Sequence, residues 1–391
     1  MILLIQQIEV FAPESLGVCD VMIGGDKIVA IDKHIDAIDH PMVEVIDGTG
    51  KVLTPGFVDS LVHISGGGGE GGFNTRTPEL DFHDAVDAGV TTLMGALGTD
   101  DIARTLPELF GKAKSLTEDG LNCFMYTGSY SIPAKPLFNS IKEDIIFVDN
   151  ILGVGEVAIS DHRGSQPSKE ELARLAAESR VGGLLSGKSG VVMVHVGDGE
   201  EKLDLLHSVI NEYEVTIDQF YPTHINRSQA LLEAGAEYAK QGGYIDLTAS
   251  TNEHLIKMGD IQASDCLKWL LGSNVPAHNI TFSSDAQGSL PHFDDNGKLD
   301  GLDVGSISSL HEELVRSVLE LNIDMSTALA CITKNPANVL GLKQKGRLES
   351  GADADLVVMD KSTLEIESVM SRGNWLKKEK TQVAKTAFDI S

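Results

Sequence analysis

Five side chains in this sequence have the types and placement to hold a metal ion: His63, Glu156, His195, His224 and Asp285. His195 ends the apolar run Val191-Val192-Met193-Val194, His224 ends Tyr221-Pro222-Thr223, and Asp285 follows Ser283-Ser284. His63 closes Gly56-Phe57-Val58-Asp59-Ser60-Leu61-Val62, and Glu156 lies in a fourth run. Imidazole nitrogens and carboxylate oxygens are the usual donors to Zn²⁺ and similar divalent ions. One histidine at a strand end is more often a satisfied structural residue than a ligand. Three histidines and an aspartate at matching strand ends are a far rarer coincidence, so the group reads as a metal centre.

For those donors to converge, the runs that carry them must lie side by side. Short β-branched or apolar runs at 55–62, 90–97, 122–127, 154–160, 191–195, 219–224, 244–248 and 280–285 predict strands. Amphipathic stretches at 169–180, 200–213, 229–240 and 306–321 predict helices. This alternation predicts an α/β fold, a parallel (β/α)8 TIM-type barrel over 55–345, with its chemistry at the C-terminal strand ends. The two chain ends have a different texture. Residues 1–54 and 346–391 hold strand-like pieces cut by Gly24-Gly25-Asp26, Asp47-Gly48-Thr49-Gly50, Gly351 and Arg372-Gly373. Neither end can bury a core alone, so both are expected to pair into one small β-sandwich-like domain.

Composition narrows the function classes. The 391 residues suit one barrel of about 250 residues plus a smaller unit. A formal charge of −27 disfavours nucleic acid and anionic membranes as partners. No run reaches the roughly 18 apolar residues of a membrane span. The opening Met-Ile-Leu-Leu-Ile-Gln-Gln lacks a basic region and a cleavage site, so it is expected to form a strand, not a signal peptide. Cys19, Cys123, Cys266 and Cys331 are scattered, which suits a reducing cytoplasm and argues against a cysteine metal site.

Several longer motifs accompany the candidate ligands. They are Pro55-Gly56-Phe57-Val58-Asp59, His63-Ile64-Ser65-Gly66-Gly67-Gly68-Gly69-Glu70, Gly98-Thr99-Asp100, Thr127-Gly128-Ser129-Tyr130, Ser160-Asp161-His162-Arg163 and Pro222-Thr223-His224-Ile225-Asn226-Arg227. Through these, the chain resembles the isoaspartyl (β-aspartyl) dipeptidases of the amidohydrolase superfamily over essentially its whole length. The resemblance implies a hydrolase of β-aspartyl dipeptides that carries one or two Zn²⁺ per chain and assembles as a homo-oligomer. It implies that His195 and His224 hold one metal, and His63 with Asp285 the other. Asp285 would also take a proton from the attacking water and pass it to the leaving amine, while Tyr130 donates to the oxyanion. Glu70, Thr99 and Ser289 would serve the substrate ammonium and nearby oxygens, and Arg163 and Arg227 its carboxylates.

Two positions depart from that pattern. The family carries His-x-His on the first strand, and here the first position is Leu61. The family's fourth strand supplies a carboxylated lysine that bridges the metals, and here that position holds Glu156. Glutamate has the right donor group but a shorter reach. Gly155 before it would permit a bulge that moves the carboxylate inward. The sequence leaves two alternatives open: a related amidohydrolase for another acyl-amino acid or cyclic amide, and a weakened homologue that only binds.

Overall fold

The computed structural model describes residues 2–37, 39–293 and 299–389; Met1, Ile38, 294–298, Ile390 and Ser391, which fall within the ranges above, lie outside them. Five strands precede the barrel: β1 (Ile2–Phe11), β2 (Ser15–Gly24), β3 (Lys27–Asp32), β4 (Val43–Asp47) and β5 (Lys51–Pro55). The barrel strands follow as β6 (Phe57–Val62), β7 (Val90–Gly95), β8 (Asn122–Thr127), β9 (Ile151–Ile159), β10 (Val191–Val196), β11 (Phe220–Thr223), β12 (Ile245–Thr248) and β13 (Ile280–Ser283). Each of the eight predicted strands is present, with ends displaced by a few residues.

β6 to β11 form one parallel sheet in chain order, and β12 pairs with β13. The circle closes where Asp285 N–H donates to the Leu61 carbonyl at 3.1 Å and His63 N–H to that of Ala286 at 2.9 Å. Side chains along a strand alternate between faces. Leu61, Met94, Tyr126, Leu152, Met193 and Tyr221 therefore fill the barrel, and Leu93, Met125, Val192, Val194 and Phe220 pack outward against the helices. Leu61, where the resemblance expects an imidazole, belongs to this apolar interior and is fully buried.

The helix predicted at 169–180 runs over Lys169–Ser186. Ser168 and Glu171 form its capping box, and Gly187 ends it in the left-handed region at φ 72°. Gly182 and Gly183 weaken the helical pattern, but they serve close approach. A side chain at Gly182 would meet Ile145 at 3.1 Å, and one at Gly183 would meet the Gly190 backbone at 2.8 Å. The helix expected at 200–213 is shorter, Asp204–Glu212. The last expected helix splits into Ser309–Val315 and a π-type turn over Arg316–Glu320.

Six further strands complete those of the described residues: β14 (Ser289–Phe293), β15 (Leu299–Val304), β16 (Leu356–Asp360), β17 (Ile366–Ser371), β18 (Asn374–Lys378) and β19 (Thr381–Gln382). β14 and β15 pair antiparallel. The chain ends meet in one nine-stranded mixed sheet, ordered β19-β18-β17-β16-β5-β1-β2-β3, with β4 branching from β1. Hydrogen bonds thus join the two ends in a single sheet. Antiparallel pairing of β5 with β16, Leu53 opposite Val358, is the join between the two ends. No helix among the described residues is long and apolar enough to cross a membrane.

A bulge in β9 sets the centre of the barrel. Val192 pairs with Val154 and Val194 with Val157, so three steps on β9 match two on β10. Gly155, at the bulge, has φ 152°, and a Cβ there would sit 2.6 Å from the Met193 Cβ. Only glycine fits that approach. Val157 and Ile159 then pack outward, while Glu156 turns into the barrel with 1 % exposure. Gly155→Ala should cost about 3 kcal/mol from crowding and backbone strain. A lower thermal midpoint together with reduced metal content checks this; an unchanged midpoint would show that the bulge tolerates a side chain.

Candidate metal centre and substrate cleft

Glu156 receives imidazoles from three strands. His195 Nδ1 stands 3.3 Å and His224 Nε2 3.2 Å from its Oε2, and His63 Nε2 is 3.8 Å from its Oε1. His63 Nε2 also lies 3.2 Å from Asp285 Oδ1. In each histidine the nitrogen turned away from Glu156 has another partner. His195 Nε2 meets Asp161 Oδ2 at 2.9 Å, His224 Nδ1 the Thr248 hydroxyl at 2.6 Å, and His63 Nδ1 the Ala96 carbonyl at 3.3 Å. Such outer partners fix ring orientation and tautomer, as they do for metal-bound imidazoles. They make Nδ1 of His195 and Nε2 of His63 and His224 the atoms that face the centre.

The donors fit a divalent ion. Glu156, His195 and His224 bring one donor atom each to within 4.8 Å of one another, the one such group among the described residues. Glu156 Oε1 is buried with no hydrogen-bond partner, the mark of a ligand atom whose complement is a cation. His63 and Asp285 stand beside this triad as a looser pair. All five predicted ligands thus gather at one place, in a tight set of three and a pair next to it.

The charges are steeply arranged. Burial favours a neutral Glu156, but hydrogen bonds from His195 and His224 hold its carboxyl well below the usual range. Burial disfavours a charged His63, yet Asp285 and Glu156 outweigh it and raise the imidazole to about 9. His224 is pushed down to about 4 by burial, Arg227 and His195. Burial and the Glu156 charge keep the Tyr130 phenol well above its ordinary value, so it is a donor. Its hydroxyl sits 2.7 Å from His195 Nδ1.

Above these side chains opens a cleft bordered by Glu70, Thr99, Tyr130, Arg163, Arg227 and Ser289. Every predicted substrate residue therefore borders it. Thr99 donates to Glu70 Oε1 at 3.0 Å, and Arg163 Nη1 is 3.5 Å from the same oxygen. The arginines differ in their partners. Arg163 grips Asp161 through Nε at 3.0 Å and Nη2 at 2.7 Å, whereas Arg227 reaches Asp161 only at 3.8 Å. Asp161, in the Ser160-Asp161-His162-Arg163 motif, joins this group. Burial alone would raise its carboxyl, but His195 and Arg163 hold it far below the usual range. It ties a metal-facing histidine to a cleft arginine. Its spacing from Arg163 was visible in the sequence, but its contact with His195 needed the fold.

The sequence matches the amidohydrolase family over residues 52–376. The chain belongs to the amidohydrolase family. Within that family it is similar to the β-aspartyl dipeptidase of Fervidobacterium islandicum AW-1, solved in complex with a β-Asp-Leu dipeptide. That chain is 44 % identical, with a TM-score of 0.93 over 100 % of this chain and 99 % of that one. A second structure of the β-aspartyl dipeptidase from that organism is 41 % identical, with a TM-score of 0.90 and full coverage of both chains. A deacetylase of Brucella anthropi is 23 % identical over 381 residues, spanning 91 % of this chain and 82 % of that one. Family membership accounts for the barrel.

Two measurements probe the centre. Glu156→Gln keeps the shape but removes the charge, so metal affinity should fall by ~10-fold or more; wild-type metal content in that variant would remove Glu156 from the ligand set. His63 carries a proton in the metal-free protein up to about pH 9, and a ligand must be deprotonated. Below that pH, metal uptake at the His63 side should release about one proton, with affinity rising as pH rises towards 9. Calorimetry in buffers of different ionisation enthalpy reads the proton directly; no release at pH 7 would exclude His63 as a ligand.

Proposed function

We infer that this amidohydrolase cleaves the isopeptide bond of β-aspartyl dipeptides with the help of a divalent metal. The observation that carries the reading is the match, over the whole chain at 44 % identity, to a dipeptidase holding β-Asp-Leu. The buried Glu156, His195 and His224 donors supply the place for the ion. We assign Zn²⁺ to it, because two imidazoles and a carboxylate are the donors that ion favours. His63 and Asp285 would hold a second, weaker ion, since Leu61 offers no lone pair. When bound, the metal lowers the pKa of water and polarises the scissile carbonyl.

The chain's own groups divide the remaining work. Asp285, beside His63, accepts the proton of the attacking water and delivers it to the departing amine. Tyr130 donates to the carbonyl oxygen as its negative charge grows, a bond that strengthens towards the transition state. Glu70, oriented by Thr99, receives the α-ammonium, and Ser289 a neighbouring oxygen. Arg163 has most of its fork committed to Asp161. Arg227 therefore has donors to spare and takes the terminal carboxylate.

The wider organisation belongs to the same reading. Residues 1–54 and 346–391 form a small β-domain and 55–345 the barrel; a separate hydrophobic cluster including Leu3, Ile5, Ile28, Leu53 and Leu356 supports that division. Four buried, unpaired cysteines are in keeping with a reducing cytoplasm. Homo-oligomeric assembly rests on the resemblance alone.

A hydrolysis screen with added Zn²⁺ should show β-aspartyl dipeptides cleaved and α-aspartyl dipeptides spared; the opposite preference would sink the substrate assignment. Arg227→Met should lower kcat/KM by ~10²-fold, chiefly through KM, corresponding to roughly 3 kcal/mol for a charged contact. Unchanged kinetics in that variant would place the carboxylate elsewhere.

A further inference from the structure

The barrel's backbone ladders leave two seams. They join β6 through β11 and β12 to β13, and among the described residues none joins β11 to β12. At the seam between β13 and β6, the lower strand ends are held apart: Phe282 N–H donates to the Cys331 carbonyl at 2.9 Å and Val58 N–H to that of Ile332 at 2.8 Å. Backbone bonds between β6 and β13 resume only at the mouth. The span from His224, after β11, to Asp285, after β13, therefore crosses the part of the barrel least constrained by its main chain.

Side chains take the ladder's place there. Asp246, on the middle strand β12, is fully buried. Its Oδ2 accepts from the Thr223 hydroxyl at 2.7 Å and from that of Ser283; its Oδ1 accepts from Thr281 at 2.6 Å and Tyr221 at 3.3 Å. One carboxylate thus binds hydroxyls from both neighbouring strands. Asn226 adds a peptide-like pair across the same seam, donating to the Thr248 carbonyl at 3.0 Å and accepting from the Thr248 N–H at 2.8 Å. Thr223 directly precedes His224, and Ser283 stands two residues before Asp285. Thr281 lies further down β13, away from the ligand.

We propose that Asp246 is a positioning residue for the metal centre, fixing the spacing between His224 and Asp285 through Thr223 and Ser283. A buried carboxylate that accepts four hydroxyl bonds is rigid, because moving either strand breaks a charged hydrogen bond in a site without water to replace it. The arms next to the ligands transmit that rigidity; the Thr281 arm holds β13 without touching the ligand end. The inference rests on the metal reading above.

The near-isosteric pair Thr223→Val and Thr281→Val separates positioning from mere stability, with Asp246→Asn alongside. Each should lower the thermal midpoint of the metal-free protein. Zn²⁺ affinity, read by competition with a chromophoric chelator, should fall by ~10-fold in Thr223→Val and Asp246→Asn. kcat should fall with it while KM holds. Thr281→Val should keep the Zn²⁺ affinity of the unsubstituted chain. Equal Zn²⁺ affinity in the two threonine variants, lowered or not, overturns the inference. That pair decides the matter alone if Asp246→Asn does not fold. Absence of Zn²⁺ binding by the unsubstituted chain would instead overturn the metal reading, and this inference with it.

Discussion

A carboxylate with 1 % exposure cannot stay ionised inside a barrel unless donors or cations surround it. Glu156 is that group, and much of the molecule is arranged around its charge. Three imidazoles face it from β6, β10 and β11, and each is held from behind by a second acceptor or hydroxyl. The bulge at Gly155 accompanies the turn of that carboxylate into the barrel. Its unpartnered Oε1 leaves a deficit that a cation can fill. Removing either the charge or the bulge would leave buried donors aimed at nothing, at a cost of order several kcal/mol for an uncompensated charge.

The cleft gathers cations in a chain whose net charge is −27. Arg104, Arg163 and Arg227 line it beside the carboxylates of Glu70, Asp100 and Asp285. Arg104 is 6 % exposed, and among the described residues no carboxylate lies within ion-pair distance of it. Its guanidinium donates to the carbonyls of Ser65, Gly67 and Thr77, fixing the glycine loop at the cleft edge. Gly66 at φ 82° and Gly68 at φ 66° give that loop a path closed to other residues. Local fields of this kind attract anionic groups whatever the net charge.

Some elements were legible because their signal is local. The strands showed as short apolar runs bounded by turns, and His63, His195, His224 and Asp285 lie just at or beyond their ends. Helix Lys169–Ser186 extends past the expected 169–180, because the small size of Gly182 and Gly183 serves close approach to Ile145 and Gly190, contacts that local sequence does not encode. Arg104 and Asp246 had no such signal. Each is a single polar residue whose partners lie at least twenty residues away in the chain, and a lone Asp or Arg in a sequence is ordinarily a solvated surface group.

What the sequence by itself determined is the set of donors and their order: three imidazoles and two carboxylates on strands of one barrel, with a glycine placed to turn Glu156 inward. Periodicity and residue type carry that information, because alternation along a strand decides which side chains share a face. Only the tertiary structure decided which ring nitrogen faces the centre, that Arg163 grips Asp161 through two nitrogens while Arg227 reaches it only at 3.8 Å, and that Asp246 spans the seam between β11 and β12. Those outcomes turn on distances of a few tenths of an ångström between residues far apart in the chain. Hydrogen bonding is that short-ranged, so nothing in local sequence can encode it.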